Sequence, residues 1–137
     1  MKKVLVLCTG NSCRSIMAEA LINHYLKESW QAFSAGTHPS HVHPKSIAAL
    51  EEIGIATKGL RSKSLSEFWD REDLDLIVTV CDNAKESCPV FYKPIPQVHL
   101  SLPDPVTLPA DEHPLQGFRQ VREMIIHELF PLLQERG

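Results

Sequence analysis

A small doubly wound α/β fold, a three-layer sandwich around a four-stranded parallel sheet, is what this sequence predicts, and three observations carry the prediction. Two apolar runs, Val4-Leu5-Val6-Leu7 and Leu76-Ile77-Val78-Thr79-Val80, suit strands buried on both faces of a parallel sheet. Strand-like and helix-like stretches alternate along the chain, the pattern of βαβ units. The first apolar run passes into Cys8-Thr9-Gly10-Asn11-Ser12-Cys13-Arg14-Ser15, after which Ile16-Met17-Ala18-Glu19-Ala20-Leu21-Ile22 resumes at helical spacing. The loop therefore turns from strand to helix at the carboxyl end of a strand, where doubly wound sheets bind ligands.

The first helix is expected over about residues 15–29, burying Met17, Leu21, Ile22, Tyr25 and Leu26. A short strand follows around Ala32 to Ala35 and stops at Gly36. Pro44 and Gly54 bracket a second helix carrying Ile47, Leu50 and Ile53. Ser64, with Glu67 three residues on, reads as a capping box opening a short helix through Phe68 and Trp69. The strand 76–80 ends at Cys81, and a last strand is expected near Gln97 to Leu100. The final helix, about residues 115–135, presents Leu115, Phe118, Val121, Ile125, Leu129 and Leu132, with a kink at Pro131.

A chain of 137 residues implies one domain, 1–137, able to bury a single core. Its formal charge of -3 and scattered Lys and Arg leave no footprint for nucleic acid. With no long apolar run and no recognisable signal peptide, the expectation is a cytoplasmic protein without a membrane partner, and a monomer. In a reducing compartment four cysteines point to redox or metal chemistry rather than permanent cross-links.

The 8–15 loop has the chemistry of a nucleophile beneath an oxyanion cradle. A strand-to-helix turn directs backbone N–H groups and the positive helix end at one spot, suited to a tetrahedral anion held by Thr9, Gly10, Asn11, Ser12, Cys13 and Arg14. Gly10 is expected to relieve the turn, Asn11 to tolerate a left-handed conformation, and Arg14 to grip two oxygens. Helix N-termini and cations favour the thiolate of a cysteine placed like Cys8, and Ser15 can add a hydroxyl donor.

Cys81 closes a strand expected beside that of Cys8, and adjacent strands lie about 4.8 Å apart, so its sulfur can reach Cys8. Cys88 is seven positions further; across a helical stretch the two Cα atoms would be roughly 10 Å apart, so bonding the pair implies a conformational change. Structural zinc fits poorly, because Cys8-x4-Cys13 and Cys81-x6-Cys88 miss the usual spacing, and no metal is expected. His38, His41 and His43, among prolines and serines, read as a solvated loop. Asp104, stiffened by Pro103 and Pro105 on the same rim as Cys8, is the candidate proton donor to a departing oxygen, ahead of Asp82 and Asp111.

With cradle, paired cysteines and aspartate in view, the chain resembles the thioredoxin-coupled arsenate reductases, which share the low-molecular-weight protein tyrosine phosphatase fold. The carriers are Cys8 to Ser15 with Met17-Ala18-Glu19, Ser34-Ala35-Gly36, Cys81 with Cys88, Asp104-Pro105 and Phe118-Arg119-Gln120-Val121-Arg122. The resemblance implies a detoxifying, arsenical-resistance enzyme without a cofactor. Its substrate would be arsenate, with phosphate and sulfate as related oxyanions, and thioredoxin its electron donor. It further implies catalytic roles for Cys8, Arg14, Ser15, Cys81, Cys88 and Asp104, through a Cys8–Cys81 and then a Cys81–Cys88 disulfide.

The alternative is a low-molecular-weight protein tyrosine phosphatase, although Val106 stands where such phosphatases commonly carry tyrosine. Some family members hold potassium with residues matching Asn11, Glu19 and a carboxylate from the loop after the second helix. Here Lys63 of Leu60-Arg61-Ser62-Lys63-Ser64 falls at the carboxylate, so its ammonium is expected to take the ion's place.

Overall fold

The computed structural model describes residues 1–82 and 91–136. Four parallel strands, β1 (Lys2–Cys8), β2 (Trp30–Gly36), β3 (Leu76–Thr79) and β4 (Gln97–His99), form one sheet in the order β2-β1-β3-β4. The chain leaves β1 to build β2 on one side and returns to build β3 on the other, which makes the carboxyl end of β1 the topological switch point. Cys8 is the last residue of that strand.

Alternation along β1 sorts its side chains between two cores. Val4, Val6 and Cys8 pack with Met17, Leu21, Leu50, Phe118, Val121 and other residues of the helices α1 (Arg14–Tyr25), α2 (Pro44–Glu51) and α3 (Gln116–Met124). Leu5 and Leu7 pack on the opposite face with Leu65, Phe68, Leu74, Ile77 and Phe91. Among the described residues this second face is covered by loops and the 3-10 turn Leu65–Phe68.

Several elements differ from expectation for local reasons. Helix α1 ends at Tyr25, whose ring is half exposed against His24 and Phe130, and Leu26 is only partly buried. Strand β2 starts earlier than expected, because the buried Trp30 donates its indole N–H to the carbonyl of Leu133 at 3.1 Å and anchors the strand to the C-terminal helix. Ser64 caps the 3-10 turn by accepting from the Ser66 N–H, and the Ser64 backbone N–H adds to the interactions that lower the Glu67 carboxyl's pKa. That carboxylate is held foremost by both guanidinium nitrogens of Arg61, at 3.1 and 2.7 Å.

The last helix is not one kinked rod. A π turn at Ile125–Leu129 separates α3 from α4 (Phe130–Arg136), directly before Pro131, whose missing N–H interrupts the ladder. The widened turn shifts the register, so Leu133 is fully buried while Leu132 is only partly so. No helix among the described residues is long and apolar enough to cross a membrane.

Candidate active site

The loop after β1 is built by tying its carbonyls outward. Thr9 O accepts from the His38 N–H at 2.9 Å, and Gly10 O accepts from the Ser40 N–H at 3.2 Å and the Ser62 hydroxyl at 3.1 Å. Ser12 O accepts from the His43 N–H and the Ser46 hydroxyl, both at 3.1 Å, while Cys13 O takes the first α1 bond, from Met17 at 2.9 Å. These bonds engage the carbonyls of Thr9, Gly10, Ser12 and Cys13, the condition under which the N–H groups of such a loop can serve an anion. Helix α1 begins at Arg14, with Cys13 as an N-cap that makes no side-chain cap bond and with no acidic residue in its first turn.

Asn11 carries the left-handed turn, with φ of 46°. Gly10 does not; a Cβ placed there would meet nothing closer than 3.9 Å. The glycine the loop needs is Gly36 on the neighbouring strand, where a Cβ would lie 2.5 Å from the Thr9 carbonyl oxygen and 2.9 Å from the Asn11 nitrogen. Backbone approaches backbone there because Cys8 is paired with Gly36 across the β1–β2 ladder.

Asn11 also sets the polarity of a buried relay. Its Oδ1 accepts the Lys63 N–H at 2.7 Å, which turns its Nδ2 toward Ser15 Oγ at 2.8 Å. Ser15 Oγ accepts the Asn11 Nδ2–H and shares a second hydrogen bond with Cys8 Sγ at 2.8 Å. The buried sulfur thus has a hydroxyl partner that is itself held in place by Asn11.

Lys63 is itself buried, with its ammonium 3.3 Å from Glu19 Oε1 and 2.8 Å from the Arg61 carbonyl. Ser34 donates to the same Glu19 oxygen at 2.5 Å. The ammonium thus lies beside Glu19, whereas Asn11 is reached by the Lys63 backbone rather than its charge. A fixed positive charge here leaves residues poorly suited to hold a second cation.

A cavity of about 280 Å³ opens over the loop, lined by Cys8, Thr9, Gly10, Ser12, Cys13 and Arg14 together with His43, Asp104 and Val106. Arg14 is buried, and its guanidinium donates to the Leu102 carbonyl at 3.2 Å, which couples the cradle to the segment bearing Asp104. That segment hangs from the end of β3 through the Leu102 N–H to Val80 O at 3.3 Å. Asp104 then caps the 3-10 turn Pro105–Thr107, its Oδ1 accepting the Val106 N–H at 3.1 Å. Burial pushes the Cys13 thiol above its ordinary pKa, against hydrogen bonds from Ser46 and Ser12.

Cys81 is fully buried two residues beyond β3, the strand paired directly with β1. It is disulfide-bonded, whereas Cys8 and Cys13 are both free thiols. Cys88, and the expectation for the stretch leading to it, lie outside the described residues. The histidine loop corrects the sequence reading at one position. His43 lines the cavity and packs its ring on Phe118 at 4.9 Å, rather than standing in solvent. Ser46, Ser62 and the crowding at Gly36 were also invisible in the sequence, because each acts through backbone groups distant in the chain.

The model of the low molecular weight phosphotyrosine protein phosphatase family matches residues 3–136, and the chain belongs to that family. Within it, the chain is 39% identical over 128 residues to an arsenate reductase of Halalkalibacterium halodurans, covering 90% of this chain and 89% of the relative. A solved arsenate reductase in its phosphate-binding state superposes with a TM-score of 0.78 at 32% identity, covering 98% of both chains. A thioredoxin-dependent arsenate reductase of Corynebacterium glutamicum gives a TM-score of 0.70 at 25% identity, covering all of this chain and 64% of the other.

Proposed function

We propose that this protein is an arsenate reductase that uses Cys8 as nucleophile and passes the resulting oxidation through Cys81 and Cys88 to thioredoxin. The observation that carries the reading is Cys81 two residues past the strand that adjoins that of Cys8. The relatives named above, and the free Cys8 beside the Ser15 hydroxyl, support it.

Arsenate binds in the cradle with its oxygens on backbone N–H groups and Arg14, and Cys8 attacks arsenic while Asp104 protonates the departing oxygen, which leaves as water. The Cys81 thiolate attacks Cys8 sulfur. The S–As bond breaks with its electron pair on arsenic, so As(V) becomes As(III) as the Cys8–Cys81 disulfide forms. Cys88 then attacks Cys81, Cys8 leaves as thiolate, and the Cys81–Cys88 disulfide is reduced by the dithiol of thioredoxin.

The test is arsenate-dependent NADPH oxidation coupled through thioredoxin and its reductase. Wild type should turn over many times, and Cys81→Ser and Cys88→Ser should not; sustained turnover by either variant would remove the relay. The family's own chemistry favours one second reading. Cys8, Arg14 and Asp104 around one cavity could also cleave a phosphate ester, so slow hydrolysis of small aryl phosphates is expected beside the reductase activity.

A further inference from the structure

His43 is held in register with the cradle more firmly than a loop residue needs to be. Its N–H and the Ser46 hydroxyl both bind Ser12 O, its own carbonyl accepts from the Ser46 and Ile47 N–H groups, and its ring packs on Phe118 at 40°. Nδ1 is committed to the helix, accepting the Lys45 N–H at 3.0 Å as the N-cap of α2. A nitrogen that accepts carries no proton, so in the neutral ring the hydrogen is on Nε2. Burial, with Lys45 and His41 adding to it and Asp104 opposing, pushes the imidazole below its ordinary pKa, which keeps the ring neutral at physiological pH.

Capping alone would be served by the short side chain of asparagine, serine or aspartate. Histidine performs the cap with one nitrogen and brings the rest of its ring to the wall of the Cys8 cavity. The polar atom left over is the Nε2–H of a residue that lines the same cavity as Arg14 and the 9–13 loop.

We infer that His43 is an oxyanion-binding residue whose Nε2–H donates to an oxygen of the tetrahedral anion held over Cys8. The assignment rests on the proposed reading of this cavity as an oxyanion site. A neutral donor adds a directed hydrogen bond without adding charge to the cavity. It also discriminates between substrate and product, because arsenite has one oxygen fewer and less negative charge to offer as acceptor, so the contact strengthens binding of As(V) over As(III).

The test uses inorganic phosphate as the probe, on the reduced full-length protein. His43→Asn keeps the cap and removes the Nε2–H; it should melt within about 2 °C of wild type while binding phosphate about tenfold more weakly by titration calorimetry. In wild type, the 15N resonance of His43 Nε2 should move on saturation with phosphate, a readout that does not depend on the variant folding. Equal phosphate affinity in wild type and His43→Asn, or an Nε2 resonance that phosphate leaves in place, overturns the assignment while the oxyanion site stands. Failure of wild type to bind phosphate at all would remove the oxyanion reading, and the role of His43 with it.

Discussion

The two sides of the Cys8 cavity are built to different standards. On one side the loop 9–13 has carbonyls engaged by His38, Ser40, His43, Ser46, Ser62 and Met17, and it presses against Gly36 with no room for a methyl group. On the other, Asp104 belongs to a proline-rich segment attached through Leu102, and its carboxylate makes a cap bond to Val106, itself more than half exposed. On the proposed reading, the difference separates preorganisation from proton transfer. Donors that stabilise developing charge must be fixed before the anion arrives, while an acid needs only to reach the leaving oxygen. Damage to the cradle should therefore cost fold and activity together, and damage to the acid should cost activity alone.

The sharpest way to break this comparison is Gly36→Ala. Its Cβ would collide with backbone at 2.5 Å, and we expect a loss of about 3 kcal/mol in urea unfolding with activity lost in parallel. Gly10→Ala, whose Cβ would meet only ordinary van der Waals contacts at 3.9 Å and beyond, should unfold within about 0.5 kcal/mol of wild type. A similar cost for both substitutions would mean that the cradle is not crowded where the geometry puts it.

Asp104→Asn comes next. Its kcat should fall about 100-fold with phosphate affinity and melting temperature nearly unchanged. Equal losses in binding and turnover would move the acid elsewhere.

A smaller effect concerns the scaffold behind the cradle. Glu52, in the turn after α2, is bound by Arg119 at 2.7 and 2.8 Å and by Arg122 at 2.5 Å, and Arg119 foremost holds its carboxyl down at about 2, against an ordinary value of 4.5. A depressed carboxylate contributes stability that is fully present above its unfolded pKa and is lost as pH falls through its folded one. Glu52→Gln should thus remove part of the acid dependence of unfolding between about pH 4.5 and 2, measured by urea titration across that range. An unchanged profile would show that the α2–α3 tie contributes nothing.

The smallest expected effect is none. With the Lys63 ammonium already beside Glu19, exchanging potassium for sodium at equal ionic strength should leave turnover and melting temperature the same. A potassium-specific gain in either would show that the ammonium does not replace an ion.

How much of this was legible in the sequence follows the same division. The buried run 4–7, the helix from Arg14 and the placement of β3 beside β1 were readable because hydrophobic period and chain alternation are local signals. So was the Cys8–Ser15 contact, which the short loop makes almost inevitable. The second role of Glu67 was not readable, because the arginine at position 61 that grips its carboxylate through two nitrogens is brought to it only by the folded loop. The widened turn before Pro131 was missed because a proline in a helix can be absorbed by a kink or by a register shift, and packing at Leu133 decides between them. His43 escaped because its neighbours Pro39, Ser40 and Pro44 look like a solvated loop, and only the folded chain brings Phe118 and the Ser12 carbonyl to it.

The most direct test of the central claim is a single turnover without any external reductant. Fully reduced protein mixed with excess arsenate should release one arsenite per molecule and then stop, and Cys81→Ser should release none while still binding phosphate. Stoichiometric arsenite from Cys81→Ser would contradict the account.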